Sequence, residues 1–177
     1  PEIFQATLGA LGVAPEDALH VGDNLNADVV GANAVGMKTA WVTRQVSDPN
    51  AKLAEHDGPV PDLVVADLSF ISLRLVLGVF AAIVAEGADL LLMVKPQFEV
   101  GRESLGSGGV VRDPKLRESA ILGVASAAEA VGLGTVGVVA SPLPGPSGNV
   151  EYFLHLRADA GPVDPAEVRR AIEEGPQ

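Results

Sequence analysis

The sequence predicts an α/β fold, built on a doubly wound, mostly parallel sheet of about six strands whose last strand is antiparallel. Short apolar runs alternate with segments of helical periodicity along the whole chain, which is typical of parallel strands joined by crossover helices. The last two apolar runs are separated by a Pro/Gly turn without a helix, so these two strands should be antiparallel neighbours. We therefore expect helices on both faces of one sheet.

Composition narrows the class of protein. The 177 residues suffice for one ordinary domain or two small ones, and 47% hydrophobic residues exclude a disordered chain. With 23 acidic and 12 basic residues, the net charge of -11 argues against nucleic-acid binding through a generally basic surface. The absence of cysteine excludes disulfides and thiolate chemistry. No apolar run reaches the ~20 residues of a membrane span, so we expect no membrane partner and a cytoplasmic location.

The first third of the chain predicts two helices and two strands before a long polar loop. Glycines follow each helical pattern, as expected where a helix ends. In chain order, the predicted elements are helix Glu2–Val13, strand Ala18–Val21, helix Asn26–Val35, strand Lys38–Thr43 and loop Arg44–Pro61.

The remainder of the chain restarts the alternation and ends with a strand pair and a polar helix. Asp113 and Pro114 form a helix start, because aspartate caps the first turn and proline fits the first helical position. The predicted elements are strand Asp62–Ala66, helix Leu73–Ala85, strand Leu90–Val94, Gly-rich loop Gln97–Arg112, helix Pro114–Val131, strand Thr135–Ala140, turn Ser141–Asn149, strand Glu151–Arg157 and helix Pro165–Glu174.

Two carboxylates, Asp23 and Asp28, follow the first predicted strand. Ligands of open α/β sheets bind at the carboxyl ends of strands, and paired carboxylates there suit Mg²⁺, which prefers oxygen ligands. The alternative is structural, with Asp23 and Asn26 capping the next helix and Asp28 stabilising its dipole. Spacing alone leaves both interpretations open.

The residues around these carboxylates resemble a known family. The segments PEIFQATLGALGV and PEDALHVGDNLNADVVGANAVGMKTAWV are similar to the C-terminal part of haloacid-dehalogenase superfamily hydrolases. The resemblance implies that Asp23 is the Mg²⁺-binding acid and Asp28 its supporting acid. The family's nucleophilic aspartate and its other motifs would lie upstream of this segment. We therefore expect a vestigial fragment without phosphatase turnover.

Three charged residues, Asp67, Lys95 and Glu151, stand at the ends of predicted strands. If the last strand is antiparallel, its start lies at the same sheet edge as the ends of the parallel strands, so the three should meet in one cleft. A lysine held between carboxylates can bind an oxygen atom and help to remove its proton. The alternative is a stabilising salt bridge at a sheet edge, and the residues alone leave both possibilities open.

A second resemblance covers about residues 61–157. The segments PDLVVADLSFISL, LLLMVKPQFEVGRE, GGVVRDP and SPLPGPSGNVEYFLHL are similar to the C-terminal half of the TlyA family, whose methyltransferase domain is of the FtsJ type. Members act as S-adenosylmethionine-dependent ribose 2'-O-methyltransferases on ribosomal RNA. The resemblance implies that Lys95 assists deprotonation of a ribose hydroxyl, with Asp67 and Glu151 orienting it.

The two resemblances together predict an unusual organisation. Residues 1–60 would be a hydrolase fragment, and residues 61–177 the C-terminal half of a methyltransferase, joined at a string that fits both families, Pro61–Leu68. The first catalytic lysine, the glycine-rich cofactor motif and the RNA-binding domain of the methyltransferase family would lie upstream. We therefore expect an incomplete, Rossmann-like sheet and an inactive or crippled enzyme.

Overall fold

The computed structural model describes residues 2–42, 52, 55–84, 87–145 and 147–176. Its strands form one six-stranded sheet. They are β1 (Leu19–Gly22), β2 (Lys38–Val42), β3 (Leu63–Ala66), β4 (Asp89–Val94), β5 (Gly134–Ala140) and β6 (Tyr152–Arg157). The helices are α1 (Glu2–Leu11), α2 (Val30–Asn33), α3 (Leu77–Ile83), α4 (Pro96–Glu99), α5 (Pro114–Glu129) and α6 (Pro165–Glu174).

The strand order confirms the predicted fold class. The sheet runs β1-β2-β3-β4-β6-β5, in which β1 to β4 are parallel neighbours. Strand β6 is antiparallel to both β4 and β5, as the turn without a helix predicts. Because β6 runs opposite to β4, its start lies at the sheet edge where the parallel strands end.

The two predicted parts of the chain share this sheet. Strands β2 and β3, which stand on either side of the predicted boundary, pair in parallel, with Ala40 opposite Leu63. The Oδ2 atom of Asp62 accepts two hydrogen bonds from Thr39, one from the backbone N–H at 2.9 Å and one from the side-chain hydroxyl at 3.0 Å. Both interactions hold the start of β3 against β2.

The main core lies on one face of the sheet. Strands β3, β4 and β6 alternate buried and half-buried residues, and their buried residues pack against the inner sides of α3, α5 and α6. On the opposite face, Val21 of β1 is 55% exposed and Val139 of β5 is 59% exposed. Val21 and Val139 belong to the two edge strands of the sheet, so helices on both faces stay a prediction. Strand β2 buries Thr39, Ala40 and Trp41 in succession, which is typical of a strand covered on both faces, whereas β3, β4 and β6 bury alternate residues.

Some predicted segments differ in detail from the structure. The loop predicted over Gln97–Arg112 contains short helical turns, Arg102–Ser104 and Ser107–Gly109, after α4. The helix predicted from Leu73 begins as a separate 3-10 turn, Leu73–Leu75, and the predicted end at residue 85 lies outside the described residues. Most of the predicted loop over residues 44–61 also lies outside them. Within the part of the chain that the structure describes, no helix has the length and apolarity to cross a membrane.

Candidate functional site

The structure brings Asp67, Lys95 and Glu151 together at one edge of the sheet. The ammonium nitrogen of Lys95 lies 2.7 Å from Oδ1 of Asp67 and 3.7 Å from Oε1 of Glu151. Lys95 is 9% exposed and Glu151 is 7% exposed, whereas nearly half of the Asp67 side chain is accessible. The cluster is therefore a buried ion pair that opens to solvent on the Asp67 side.

Strand register explains why these residues meet. Val94 lies opposite Tyr152 in the antiparallel pair of β4 and β6, so the next residues towards this edge, Lys95 and Glu151, adjoin each other. Pro96 directly after Lys95 begins α4, which turns the chain away at that point. Gly145 leaves room for this carboxylate, because a Cβ there would lie 2.6 Å from Oε1 of Glu151 and would displace it.

A cavity of about 880 Å³ opens above the cluster. The three charged residues line it, together with residues 105, 108 and 109 and residues 141–145, 147 and 149. Ser69 lies in the same wall, and its hydroxyl accepts a hydrogen bond from Lys95 Nζ at 3.1 Å. Lys95 thus has three oxygen partners in a half-enclosed cleft, an arrangement that can hold a hydroxyl group and exchange its proton.

Phe70 stands at the mouth of this cavity in a strained conformation. Its φ angle is +65°, which bulky residues rarely adopt, and its side chain is 92% exposed. The ring packs against that of Phe98, with a centroid distance of 5.2 Å. Backbone strain of this kind is concentrated at functional sites. Sequence reasoning missed Phe70, because no glycine or turn motif in Leu68–Ser72 indicates a left-handed residue.

Glu99 is a second residue that sequence reasoning missed. Its buried carboxylate accepts hydrogen bonds from the Ser72 hydroxyl at 2.6 Å and from the Leu73 N–H at 2.7 Å. Arg74 completes the group, with Nε 3.3 Å from Oε2 of Glu99. The segment 67–73 is therefore fixed to α4 at one end by Glu99 and at the other by Lys95. The one feature of the sequence that could have indicated this role is the position of the glutamate, four residues after the candidate lysine.

Asp23 and Asp28 lie apart from this cluster, after β1. Oδ2 of Asp28 accepts a hydrogen bond from the Asn24 N–H at 2.9 Å, and Oδ1 lies 3.2 Å from Nε2 of His20. The backbone hydrogen bond from Asn24 lowers the pKa of Asp28, with a smaller contribution from His20. Asn24, rather than Asp23 or Asn26, caps the following turn. Among the described residues, no group of three or more His, Asp or Glu side chains could hold a metal ion, so the magnesium site stays a prediction.

Comparison with known proteins places the chain in a family. The model of the FtsJ-like methyltransferase family matches residues 28–158. The chain belongs to this family. The match begins well before residue 61, so the boundary predicted between residues 60 and 61 also stays a prediction.

Individual relatives agree with this assignment. The 16S/23S rRNA (cytidine-2'-O)-methyltransferase TlyA of Mycobacterium tuberculosis is 47% identical over 165 residues, which cover 85% of this chain. This chain spans only 61% of that protein's length. A solved "putative hemolysin" from Lactococcus lactis superposes with a TM-score of 0.66 at 26% identity, covering 96% of this chain and 94% of that one.

A shorter similarity concerns a different class of protein. The phosphoserine phosphatase of Thermus thermophilus is 44% identical over 70 residues. These residues are 38% of this chain and 25% of the phosphatase.

Proposed function

We propose that this FtsJ-like chain carries the hydroxyl-activating site of an S-adenosylmethionine-dependent ribose 2'-O-methyltransferase that acts on ribosomal RNA. The cluster of Lys95 with Asp67 and Glu151 in an open cleft carries the proposal. The M. tuberculosis relative is a 16S/23S rRNA (cytidine-2'-O)-methyltransferase, which supports the substrate class. When bound, S-adenosylmethionine supplies the methyl group.

Each residue of the cluster has a distinct part in this proposal. Lys95 binds the ribose 2'-oxygen and, when neutral, takes up the hydroxyl proton at Nζ. Lys95 forms one ion pair with the Asp67 carboxylate, which is accessible from the cleft, and a second with the buried Glu151 carboxylate. The Ser69 hydroxyl accepts a further hydrogen bond from Nζ of Lys95, and this contact keeps the nitrogen at the cleft.

The turn after β1 does not line the Lys95 cavity, and it lacks the features of a cofactor-binding turn. In open α/β folds a glycine-rich turn after a strand binds the cofactor through free backbone N–H groups. At the turn after β1, the Asp28 carboxylate occupies the space that a Cβ on Gly22 would take, and it also accepts the Asn24 N–H. This turn does not fit a nucleotide cofactor. We therefore propose that the isolated chain binds S-adenosylmethionine weakly and is inactive or crippled.

The experiment that tests the site uses a chimaera. Residues 61–157 of this chain would replace the matching segment of the M. tuberculosis relative, and methyl transfer to ribosomal RNA would be measured. We expect transfer by the chimaera, a loss of at least about 100-fold with Lys95→Met, and a change below about twofold with the exposed control Lys115→Met. A fully active Lys95→Met chimaera would contradict the proposal.

A calorimetric titration separates the site from the cofactor. For the isolated chain, we expect no saturable binding of S-adenosylmethionine at micromolar concentrations. A micromolar affinity would overturn the proposed weakness at the cofactor end and leave the role of Lys95 standing.

The phosphatase similarity favours a second candidate function for residues 1–60. These residues would be a fragment of a haloacid-dehalogenase type, Mg²⁺-dependent phosphatase, with Asp23 and Asp28 as the metal-binding acids. Hydrolysis of p-nitrophenyl phosphate with Mg²⁺ tests it, with Asp23→Asn as the comparison. We expect no turnover from either protein, and Mg²⁺-dependent hydrolysis that Asp23→Asn abolishes would show an active phosphatase.

A further inference from the structure

A second cavity adjoins the Lys95 cleft and is lined by two arginines. It has a volume of about 530 Å³, and Arg112 and Arg117 contribute to its wall. Pro144 and Ser147 line both this cavity and the Lys95 cleft, so the two are separated only by the thickness of one loop. A ligand that fills the cleft can extend across this loop.

Arg117 is a buried cation to which no carboxylate of the described residues is paired. The residue is 7% exposed, and its Nε donates one hydrogen bond to the Val111 carbonyl oxygen at 2.9 Å. Within the described ranges, no carboxylate oxygen lies within 4.0 Å of its guanidinium. Buried charges in proteins are normally paired, because an isolated charge loses its hydration without compensation. Among the residues that the structure describes, this position therefore lacks an anion.

Tyr152 places its hydroxyl next to Arg117. Burial raises the pKa of Tyr152, and the charge and hydrogen bonding of Arg117 partly oppose this effect. No other described group lies at hydrogen-bond geometry to the hydroxyl oxygen. A neutral hydroxyl beside an unpaired guanidinium leaves the positive charge of Arg117 uncompensated.

Arg112 supplies a second cation at the entrance. It is exposed, and its Nη1 donates a long hydrogen bond of 3.4 Å to the Ser107 carbonyl oxygen. No carboxylate of the described part of the chain forms an ion pair with it. Two unpaired guanidiniums in one cavity are notable in a chain with 23 acidic and 12 basic residues.

We propose that Arg112 and Arg117 form a phosphate subsite, which binds a phosphodiester group of the RNA strand whose ribose enters the Lys95 cleft. This inference rests on the proposed function and adds a contact that fixes the position of the strand. Guanidinium groups match phosphate oxygens through paired N–H donors, which gives both charge and geometry. The overall charge of the chain repels RNA, so local cations at the site have to hold the backbone.

Two probes test the subsite. The first is inorganic phosphate, followed through the arginine side-chain N–H signals in nuclear magnetic resonance spectra. The second is a fluorescently labelled single-stranded RNA hexamer, whose affinity is measured by anisotropy at several salt concentrations. Arg112→Gln is the main variant, because Arg112 is exposed and its loss should not affect folding. Arg102→Gln is the matched control, since Arg102 is an exposed arginine of the same loop that lines neither cavity.

We expect phosphate to shift the Arg112 and Arg117 signals and to leave Arg102 unchanged. Arg112→Gln should weaken hexamer binding by about five- to tenfold and lower the slope of log affinity against log salt by about 0.7, while Arg102→Gln changes affinity less than twofold. Arg117→Lys keeps the charge but loses the paired donors, and it should weaken binding by about threefold.

Three other results would overturn the inference. If neither probe perturbs the arginine signals, the cavity is no anion site. If phosphate binds but the hexamer does not displace it, the site takes a free phosphate compound rather than RNA. If the hexamer binds and the Arg112→Gln and Arg102→Gln variants behave alike, the strand follows another path. The last result would leave the Lys95 chimaera test, and therefore the proposed function, untouched.

Discussion

Phe70 keeps its left-handed backbone because the residues around it are held on both sides. A bulky residue at positive φ costs about 1–3 kcal/mol, so other contacts have to fix it. Ser69 is bound to Lys95, and Ser72 is bound to Glu99, so both flanks of Phe70 are tied to the segment 95–99. The exposed ring is thereby held at the cleft mouth, where, under the proposed function, a base of the RNA strand would stack on it.

Glu99 should be essential for this arrangement. Both oxygens of the buried Glu99 carboxylate accept a short hydrogen bond. In Glu99→Gln one oxygen becomes an NH2 group, which would face another hydrogen-bond donor. We therefore expect a loss of about 1–3 kcal/mol of unfolding free energy. Urea denaturation measures the change. The exposed Glu103→Gln serves as the control and should stay within about 0.5 kcal/mol. Equal stabilities of the two variants would contradict this role.

Asp28 should make stability depend on acid pH. Its folded pKa is lowered, mainly by the Asn24 N–H, so the charged form stabilises the fold above the ordinary carboxyl pKa of about 4. This contribution disappears as the pH falls through the lower, folded pKa. We expect Asp28→Asn to be less stable than the wild type at pH 5, and the difference to shrink as the pH falls below about 4. A difference that stays constant down to pH 2 would show that charge is not its cause.

At the scale of elements, β4 shows how one strand divides its residues between two environments. Leu92 is fully buried in the main core, whereas its neighbour Leu91 is half-buried on the opposite face. Both are leucines in the same apolar run, so the sequence does not distinguish them. Because their surroundings differ, shortening the two side chains should lower the unfolding free energy by different amounts.

The pair Leu92→Ala and Leu91→Ala tests this difference. Leu92→Ala leaves a cavity in a close-packed core, so we expect a loss of about 2–5 kcal/mol of unfolding free energy. Leu91→Ala should cost clearly less, because part of its surface already contacts solvent. Denaturant unfolding of the two variants gives both values. Equal losses would mean that the second face is also covered.

Elements with strong local signals were predicted well. The helix Pro165–Glu174 agrees at both ends, and the long helix starts at Pro114 as its capping residue predicts. The segment 97–112 was predicted as loop, because its glycines and short runs give no helical period, yet packing folds parts of it into single turns. Short helical turns depend on tertiary contacts more than on local propensity.

At the scale of the whole molecule, the pairing of β2 with β3 makes one sheet from the two parts that the sequence predicts, residues 1–60 and 61–177. Asp62 strengthens this junction through two hydrogen bonds to Thr39. A shared sheet couples the parts, since opening one exposes an edge of the other. The parts should therefore unfold together.

The chain contains natural probes for this coupling. Its single tryptophan, Trp41, is buried in β2, and its single tyrosine, Tyr152, is buried in β6. We expect the fluorescence of Trp41 and the near-ultraviolet signal of Tyr152 to change at the same urea concentration, because one cooperative unit gives coincident transitions. Two separate midpoints would show that residues 1–60 and 61–177 fold as independent domains.

The sequence by itself determined the succession of strands and helices along the chain, the antiparallel last strand and the meeting of Asp67, Lys95 and Glu151. These features follow from local periodicity and from the rule that parallel strands end at one edge. Only the tertiary structure decided which face of the sheet is buried, that Glu99 binds a segment 26 residues earlier, and that no carboxylate of the described residues pairs with Arg117. Such contacts join residues far apart in the chain, and no local pattern specifies which side chains will be packed together.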